Sequence, residues 1–344
     1  MQGMAYQSAL HEFGRARATS YHRTMTLSLT LAIARNPHVE ALLDGSVPID
    51  GVNPQFLHVA PQIAAYRSMV RDLAYDICEL APTTYLIARD HGAPLTALPV
   101  FLMRRFHHGG LRINPAAGIR EPRDLEGKQV GVRAWSVTTG VWTRAILARE
   151  FGIDCSAITW VVDDEEHVEA LELPAHVEHA PEGKSLAQLM AEGDLAAAFD
   201  GNAGIGRSGD PKKGWKAENA DNWPDLFANA PELEAASYRR SGIYPIHGTL
   251  VVKQALLQQY PGLAASLCSA FEAAKQQWLQ RLHRGVDENA SDTKYRELAK
   301  VVGPDPLPYG IEPNRNSIEA LIDAAHAQGL ISERLPVEEY FHAI

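Results

Sequence analysis

Short apolar segments alternate with amphipathic helical segments along most of this chain, and this alternation constrains the fold more than any other feature. Between residues 25 and 101 the periodicity predicts strands and helices in turn at 25–35, 38–43, 52–59, 63–72, 76–80, 83–90 and 95–101. Strands joined by helices are typical of a mostly parallel sheet with helices on its faces. A second series starts near residue 119, with elements at 136–151, 158–162, 185–192 and 195–199. We therefore expect an α/β protein of two lobes.

Length, composition and charge narrow the function classes. The chain has 344 residues, of which 46% are hydrophobic and 22% charged, as in a globular protein with a sizeable core. The net charge of −10 argues against nucleic-acid binding and against a basic membrane-binding face, although a local arginine cluster still suits a small anion. No apolar run approaches the length of a membrane-spanning helix. The cysteines Cys78, Cys155 and Cys268 form no paired motif, which fits a reducing, cytoplasmic compartment.

The N-terminal region offers two interpretations. Arg23 precedes an apolar stretch, residues 25–34, whose last three residues imitate the cleavage site of a signal peptide. In that stretch threonine and serine alternate with leucine, which is the period of a strand. We therefore predict a strand rather than an export signal, preceded by an N-terminal extension over residues 1–23.

The segment Asp76–Tyr85 combines a buried strand with the start of a helix. Pro82 suits the first helical position, and Thr83 and Thr84 add hydroxyl groups beside the free N–H groups of the first turn. Such a helix start can bind an anion. Glu79 is then an unusual neighbour, and two roles stay open for it: proton transfer in a functional site, or a structural ion pair.

Two stretches resemble type II periplasmic-binding-protein folds. The run 118–132 carries Ile-x-x-Pro-x-Asp-Leu-x-Gly-Lys-x-Val-Gly-Val, which resembles the segment leading into the second lobe, and 193–200 resembles a later strand of that lobe. The resemblance implies two lobes, each a mostly parallel sheet flanked by helices, with a ligand cleft between them. The implied boundaries are 24–118 with 245–344 for a discontinuous first lobe, and 119–244 for the second.

Four further stretches resemble the 4,5-dihydroxyphthalate decarboxylase family, whose members are cytoplasmic enzymes on this fold: 76–80, 99–101 with the arginine/histidine run after it, 241–247 and 308–315. The resemblance implies loss of one carboxylate from a dihydroxylated aromatic dicarboxylate, with no redox cofactor required. In the family, the stretch Gly-Ile-aromatic-Pro-Ile continues with Met-His, whereas here His247 and Gly248 follow Ile246. A histidine shifted by one place along a strand faces the other side of the sheet.

The implied reaction needs cations or donors for carboxylates and an acid or base aimed at the ring. Arg104 and Arg105 follow a strand end, where cleft residues of such sheets gather, and their planar guanidinium groups suit a carboxylate. Arg35 ends the first strand and is a further substrate-binding candidate. Surface solvation is the alternative for all three, and Arg315 is expected to hold the C-terminal segment instead.

Histidines supply the other candidates for proton transfer. His107, His108 and His247 join Glu79 as predicted catalytic residues, because the pKa of imidazole lies close to neutrality. The adjacent pair His107–His108 could instead ligate a divalent metal, but no second ligand motif accompanies it, so we assign no metal site. His247 could also be a packed core residue, and His38 is a weaker candidate.

The second lobe is expected to contribute a helix start that faces the cleft. Its hydroxyl groups could donate to a carboxylate and its tryptophan could cover an aromatic ring, while N-capping and core packing are the alternative. Two polar residues after the strand at 195–199 could hold the catechol hydroxyl groups or form a turn. With the first lobe's helix start, the predicted substrate-binding set is Thr83, Thr84, Trp135, Ser136, Thr138, Thr139, Asp200 and Asn202.

Two functions from different classes follow. The first is a cytoplasmic decarboxylase that acts on a 4,5-dihydroxyphthalate-like diacid by protonation of the ring carbon and loss of CO2. The second is a solute-binding protein for an aromatic or small carboxylate, without catalysis. The lack of a convincing export signal favours the enzyme. Neither nucleic acid nor a membrane is an expected partner, and an assembly of identical subunits stays open.

Overall fold

The structure, a computed structural model, describes residues 26–208, 216–220, 222–285 and 289–343. Its strands are β1 Leu27–Ala32, β2 Val52–Phe56, β3 Ile77–Leu80, β4 Leu95–Arg104, β5 Leu111–Ile113, β6 Gln129–Gly131, β7 Thr159–Val162, β8 Val177–His179, β9 Ala197–Phe199, β10 Arg207–Ser208, β11 Lys216–Ala217 and β12 Ile246–Lys253. Its α-helices are α1 Glu40–Leu43, α2 Gln62–Asp72, α3 Pro82–Asp90, α4 Thr138–Phe151, α5 Leu186–Glu192, α6 Ala230–Ser241, α7 Gln254–Gln259, α8 Leu263–His283, α9 Ala290–Val302, α10 Arg315–Ala327 and α11 Val337–Tyr340. The predicted extension, residues 1–23, lies outside the described residues.

The first sheet has the strand order β2-β1-β3-β12-β4. β1 is parallel to β2 and β3, so the predicted N-terminal strand is confirmed, whereas β12 runs antiparallel to β3 and β4. β12 follows the second lobe in the chain, which makes the first lobe discontinuous. The carboxyl ends of β1, β3 and β4 and the start of β12 therefore share one edge of the sheet, and this edge carries Ala34, Glu79, Arg105 and His247.

The second sheet has the order β5-β9-β6-β7-β8, in which β5 alone is antiparallel to its neighbour. The predicted boundary at residue 118 would leave β5 in the first lobe. The structure instead pairs Leu111 with Phe199 and Ile113 with Ala197, both in β9. The chain thus crosses to the second sheet before residue 111, because β5 completes the hydrogen bonding along the edge of β9.

The hydrophobic core continues from one lobe to the other. One cluster of buried side chains covers a face of the first sheet and packs it against α8. A larger cluster includes Leu86 of α3, Trp142 of α4 and Leu321 of α10, so helices of both lobes pack together. No helix within the described ranges is long and apolar enough to cross a membrane.

Two local expectations differ from the structure. Pro99 was expected to interrupt its strand, but β4 continues through it to Arg104. β4 is an edge strand, its register with β12 is irregular near Gly248, and at such a position proline costs no ladder hydrogen bond. Residues 201–224, predicted to be a loop, contain the antiparallel pair β10–β11, although 209–215 and 221 lie outside the described residues. β8 and α6 were not predicted.

Candidate active site

The first turns of α3 and α4 meet where the lobes contact each other. Oγ1 of Thr83 donates to the carbonyl of Ser136 at 2.8 Å and lies 2.6 Å from Oγ1 of Thr138. All three residues are buried. The sequence predicted each of them on a cleft-facing helix start, and the structure brings them together from opposite lobes.

Glu79 lies at the carboxyl end of β3, with 1% of its surface exposed. Oε2 accepts a hydrogen bond from the backbone N–H of Ala34 at 2.9 Å. Oε1 is buried and has no hydrogen-bond partner among the described residues. Burial raises the pKa of Glu79 from 4.5 to about 6, against the opposing effect of the Ala34 hydrogen bond. A carboxyl group with this pKa can give or take a proton near neutrality.

Tyrosine side chains surround this carboxylate. Burial, and after it the negative charge of Glu79, raises the pKa of Tyr66 and Tyr295 well above that of free tyrosine. Burial also raises the pKa of Tyr309, whose hydroxyl group has no partner within the described part of the chain. These phenols stay protonated and are therefore donors towards an anion. Tyr66 and Tyr295 were not predicted, because tyrosines on helices have no sequence signal that separates a site from a core.

Arg105 and two histidines form the cationic side of the site. The guanidinium group of Arg105 donates to Oγ1 of Thr139 at 2.8 Å and lies 3.2 Å from Nε2 of His247. The ring of His247 lies beside that of His107, with centroids 5.2 Å apart and the ring planes tilted by 32°. Because a guanidinium group only donates, Nε2 of His247 accepts, and its ring proton lies on Nδ1. Four predicted residues thus lie together here.

Burial lowers the pKa of Arg105, yet an arginine side chain remains charged. Burial and then the charge of Arg105 lower the pKa of both His107 and His247 well below 6.5. The two histidines are therefore neutral while no anion is bound. A fixed positive charge beside two neutral donors is suited to a carboxylate.

Arg104, predicted to bind substrate, lies outside this cluster. Its guanidinium group is 2% exposed, donates to the carbonyl of Tyr244 and to Oδ1 of Asn314, and lies 3.1 Å from Oγ of Ser317. It also stacks on the ring of Tyr244. Arg104 and Arg105 point in different directions because they are consecutive at a strand end. Arg104 fastens the C-terminal segment to β4, and these contacts indicate a structural role rather than the predicted substrate binding.

His108, predicted to be catalytic, contacts residues of the second lobe. Nε2 of His108 lies 3.5 Å from the carboxylate of Glu150, and its ring contacts Phe227. Burial alone would raise the pKa of Glu150, but hydrogen bonds from His108 and Ser237 lower it to about 2. The His108–Glu150 pair is a structural contact between the segment after β4 and helix α4 of the second lobe.

Three predicted substrate contacts are also not part of the cluster. Arg35 and Asn202 are exposed. Asp200 forms an ion pair with Arg112 at 3.0 Å, although its charge still acts on Arg105. A partner on β5 could not be foreseen, because that strand was assigned to the other lobe.

Trp135 is buried beneath a guanidinium group rather than open to a ligand. The charged carbon of Arg144 lies 3.6 Å from its ring centroid, and its Nε1 donates to the carbonyl of Gln328. The backbone N–H groups of Trp135 and Ser136 donate to the carboxylate of Glu166 at 2.6 and 3.1 Å. A carboxylate of the chain itself thus binds the two N–H groups that directly precede this helix start.

The acidic loop, residues 163–169, crosses from the second lobe to α2 and α3. Arg67 of α2 pairs with Asp164 at 2.9 Å, and Arg71 donates to the carbonyl groups of the loop. Nδ1 of His167 lies 2.8 Å from Oγ1 of Thr84, which explains the position of that predicted residue. The loop contacts were not predicted, although the i, i+4 spacing of the two arginines on an amphipathic helix was a usable signal.

The remaining minor candidates have structural surroundings. His38 is fully buried against Trp278, and burial lowers its pKa to about 3. Arg315 pairs with Glu338 at 2.6 Å and holds the C-terminal segment, as expected. In the described ranges, no three His, Cys, Asp or Glu side chains lie close enough together to hold a metal ion.

Two solved structures of periplasmic sulfonate-binding proteins superpose on this chain. The alkanesulfonate-binding protein SsuA of Xanthomonas axonopodis pv. citri superposes with a TM-score of 0.50 at 13% identity, covering 92% of this chain and 98% of its own. The periplasmic sulfonate-binding protein SsuA of Methylobacillus flagellatus KT superposes with a TM-score of 0.53 at 11% identity, covering 92% of each chain. At these identities the likeness concerns the fold, and it confirms the predicted two-lobed, periplasmic-binding-protein-like α/β architecture.

Sequence comparison identifies the nearer relationship. No protein-family model matches the chain. The 4,5-dihydroxyphthalate decarboxylase of Comamonas testosteroni is 32% identical over 332 residues, which cover 92% of this chain and 96% of that protein. The enzyme of the same name from Pseudomonas putida is 37% identical over 181 residues, covering 50% of this chain and 70% of its own. A relationship that extends over both chains almost end to end confirms the resemblance seen in the motifs: this chain belongs to the 4,5-dihydroxyphthalate decarboxylase family.

Proposed function

We propose that this protein catalyses the non-oxidative decarboxylation of a dihydroxylated aromatic dicarboxylate, such as 4,5-dihydroxyphthalate, to the monoacid. The observation that carries the proposal is the buried carboxyl group of Glu79, with a free Oε1 and a pKa near 6, at the sheet edge that also carries Arg105 and His247. A carboxyl group that can give up a proton near neutrality meets the need of acid catalysis at the ring. The names of its relatives support the same substrate class.

The chemistry requires a proton at one ring carbon. Direct loss of CO2 from a benzene carboxylate would leave an aryl anion, which is a poor product. If the carbon that bears the carboxylate is protonated first, the hydroxyl group para to it stabilises the positive charge in the ring. The bond to the carboxylate then breaks, and its electron pair restores the aromatic ring. Overall, one proton is consumed and one CO2 is released.

Side chains of the site can supply the proton and hold the carboxylates of the substrate. The protonated carboxyl group of Glu79 donates its proton to the ring carbon and recovers one from solvent after CO2 has left. Arg105 holds a carboxylate, with Thr139 orienting its guanidinium group at 2.8 Å. The hydroxyl groups of Thr83 and Thr138 and the phenol of Tyr66 are donors for the remaining oxygen atoms of the substrate. Substrate binding and proton donation thus come from both lobes.

The experiment is to incubate the purified protein with 4,5-dihydroxyphthalate and to follow CO2 and 3,4-dihydroxybenzoate, with and without added divalent cations. We expect equal amounts of both products, at a rate that the variant Glu79→Gln lowers at least about 100-fold. The variant His108→Gln is the matched control and should retain the wild-type rate. Tight binding of the diacid without turnover under either condition would favour the second hypothesis, a solute-binding protein for aromatic carboxylates.

We further propose that the reaction takes place in the cytoplasm. Cys78, Cys155 and Cys268 are all free thiols, as is usual in a reducing compartment. Fractionation of cells that express the full chain, followed by immunoblotting, tests this directly. Recovery in the periplasm would contradict it.

A further inference from the structure

The adjacent rings of His107 and His247 carry two polar atoms that the proposed reaction does not use. Nε2 of His107 and Nδ1 of His247 are buried, and neither has a hydrogen-bond partner in the described part of the chain. His107 is 2% exposed, while His247 is partly exposed. Buried polar atoms are nearly always satisfied in native proteins, so two unsatisfied atoms in adjacent rings indicate a place for a ligand. Arg105, 3.2 Å from His247, gives this place a positive charge.

The groups that act electrostatically on the His107–His247 pair are basic side chains. Arg105, His108 and Lys294 act on His107, and Arg105 and Lys294 act on His247. These charges come from the end of β4 and from α9, and they add to burial in lowering the pKa of both rings.

Carboxylates also lie near this pair. Asp200 acts on Arg105, Glu234 acts on Lys294, and Glu79 lies at the same sheet edge as His247. The ligand-free pair stays neutral, because burial and the neighbouring cations lower the pKa of both rings.

We propose that the His107–His247 pair is a subsite for one carboxylate of an aromatic dicarboxylate, and that the pair takes up a proton from solvent as the dianion binds. The ligand class rests on the proposed function. A dianion brings two negative charges, whereas Arg105 supplies only one fixed positive charge to the cluster. The second negative charge favours an imidazolium ion over a neutral ring. Since the rings are in contact, the proton belongs to the pair rather than to either residue.

The geometry also identifies Nε2 of His247 as the atom that receives the proton. Nε2 of His247 is occupied by the guanidinium group of Arg105 while the site is empty of ligand. When that guanidinium group turns to a carboxylate, Nε2 is released and can bind a proton. Both nitrogen atoms of the ring then donate, Nδ1 to the second carboxylate and Nε2 to the first. The site thereby distinguishes a diacid from a monoacid by charge.

The test is isothermal titration calorimetry of the whole protein with phthalate at pH 7.5, in two buffers of different ionisation enthalpy. Phthalate has both carboxylates but lacks the hydroxyl groups that activate the ring, so binding is measured without turnover. We expect uptake that approaches about one proton per phthalate bound, and clearly less with the monoacid benzoate. His107→Gln and His247→Gln should each reduce the uptake, whereas the control His326→Gln, at an exposed histidine of α10, should leave it unchanged.

A second measurement uses the wild-type protein, because a glutamine in a buried site can impair folding. With 13C-labelled histidine, the ring signals of the fourteen histidines can be followed as phthalate is added. We expect signals that are lost in His107→Gln or His247→Gln spectra to move to imidazolium positions. Signals that stay at neutral positions when the site is saturated would overturn the proposal.

The other outcomes are equally decisive. Binding of phthalate without proton uptake, or no binding of phthalate, would overturn the inference. Uptake that disappears in Glu79→Gln but persists in both histidine variants would assign the proton to Glu79 instead. The decarboxylation assay stands apart from these results. Proton uptake on phthalate binding without CO2 release from 4,5-dihydroxyphthalate would contradict the proposed function alone. CO2 release without proton uptake would contradict only the proposed role of the histidine pair.

Discussion

The free oxygen of Glu79 lies against the backbone of Gly248. A β-carbon added to Gly248 would stand 2.9 Å from Oε1 of Glu79 and 3.2 Å from the β-carbon of Met103. Both distances are shorter than ordinary van der Waals contacts. Gly248 lies in the irregular part of β12, directly after His247. Because Gly248 has no side chain, there is space for the carboxyl group of Glu79, the proposed acid, beside Arg105 and His247.

Replacement of this glycine should displace the carboxyl group. We expect Gly248→Ala to lower kcat at least about 10-fold, because a shift of the proton donor by a fraction of an ångström misaligns it with the ring carbon. The crowding should also cost about 1–3 kcal/mol of unfolding free energy. Steady-state kinetics and urea denaturation measure the two effects. The control is Gly262→Ala, since nothing lies within 4 Å of a β-carbon there. An unchanged kcat in Gly248→Ala would remove Glu79 from the reaction centre.

The raised pKa of Glu79 predicts a particular pH dependence of stability. The folded protein holds this proton up to a pKa of about 6, against 4.5 in the unfolded chain. As pH rises through this range the unfolded state loses the proton first, so ionisation costs the folded state stability. Glutamine does not ionise. Relative to wild type, Glu79→Gln should therefore gain up to about 2 kcal/mol between pH 4.5 and 7, as measured by urea denaturation. A difference that stays constant with pH would show that the pKa of Glu79 is unshifted.

Substitutions of Arg104 and Arg105 should affect different properties: stability for Arg104 and substrate binding for Arg105. Arg105→Lys keeps a charge but loses the planar guanidinium group, so we expect KM for the diacid to rise about 10-fold with little change in stability. Arg104→Ala leaves polar groups of Tyr244 and Asn314 unpaired in the interior, at a cost of about 3 kcal/mol. Kinetics and thermal unfolding of both variants separate the two roles. Equal losses of stability would mean that Arg105 is structural as well.

The order of the elements, and the grouping of several candidate residues at one sheet edge, could be predicted from the sequence. Alternating strands and helices specify which chain segments end at the same sheet edge, and that is enough to bring Glu79, Arg105, His107 and His247 together. Threonine at two helix starts was likewise visible, since helix N-termini have a recognisable composition. These features depend on local patterns that a single sequence carries.

The errors concern choices that only long-range packing makes. Which of Arg104 and Arg105 faces the site depends on the irregular pairing with β12, which lies more than a hundred residues away in the chain. Asp200 is taken by Arg112 because β5 joins the second sheet. The N–H groups of Trp135 and Ser136 are bound by Glu166, a residue of a loop whose path has no local signal. Which side chains pair across such distances in the chain depends on the tertiary structure.

The acidic loop should govern how readily the lobes open. Glu79, Thr83 and Thr138 are buried where the lobes contact each other, and a groove of about 1130 Å³ beside α4 and α10 is not lined by Glu79, Arg105 or His247. We therefore expect the lobes to separate when a substrate reaches Glu79. Arg71 of α2 opposes this separation, because it donates to two carbonyl groups of the loop and pairs with Glu169 at 2.7 Å.

Removal of this contact should shift the ligand-free protein towards an open form. We expect Arg71→Ala to increase the radius of gyration in small-angle X-ray scattering, and saturating phthalate to reverse the increase. KM should rise about 10-fold while kcat changes less, because closure must then be driven by ligand binding alone. The control is Arg89→Ala, whose ion pair with Glu339 joins two helices of the first lobe. If Arg71→Ala and wild type scatter alike and share the same KM, the acidic loop does not hold the lobes together, and the rigid contact between α3 and α4 must do so instead.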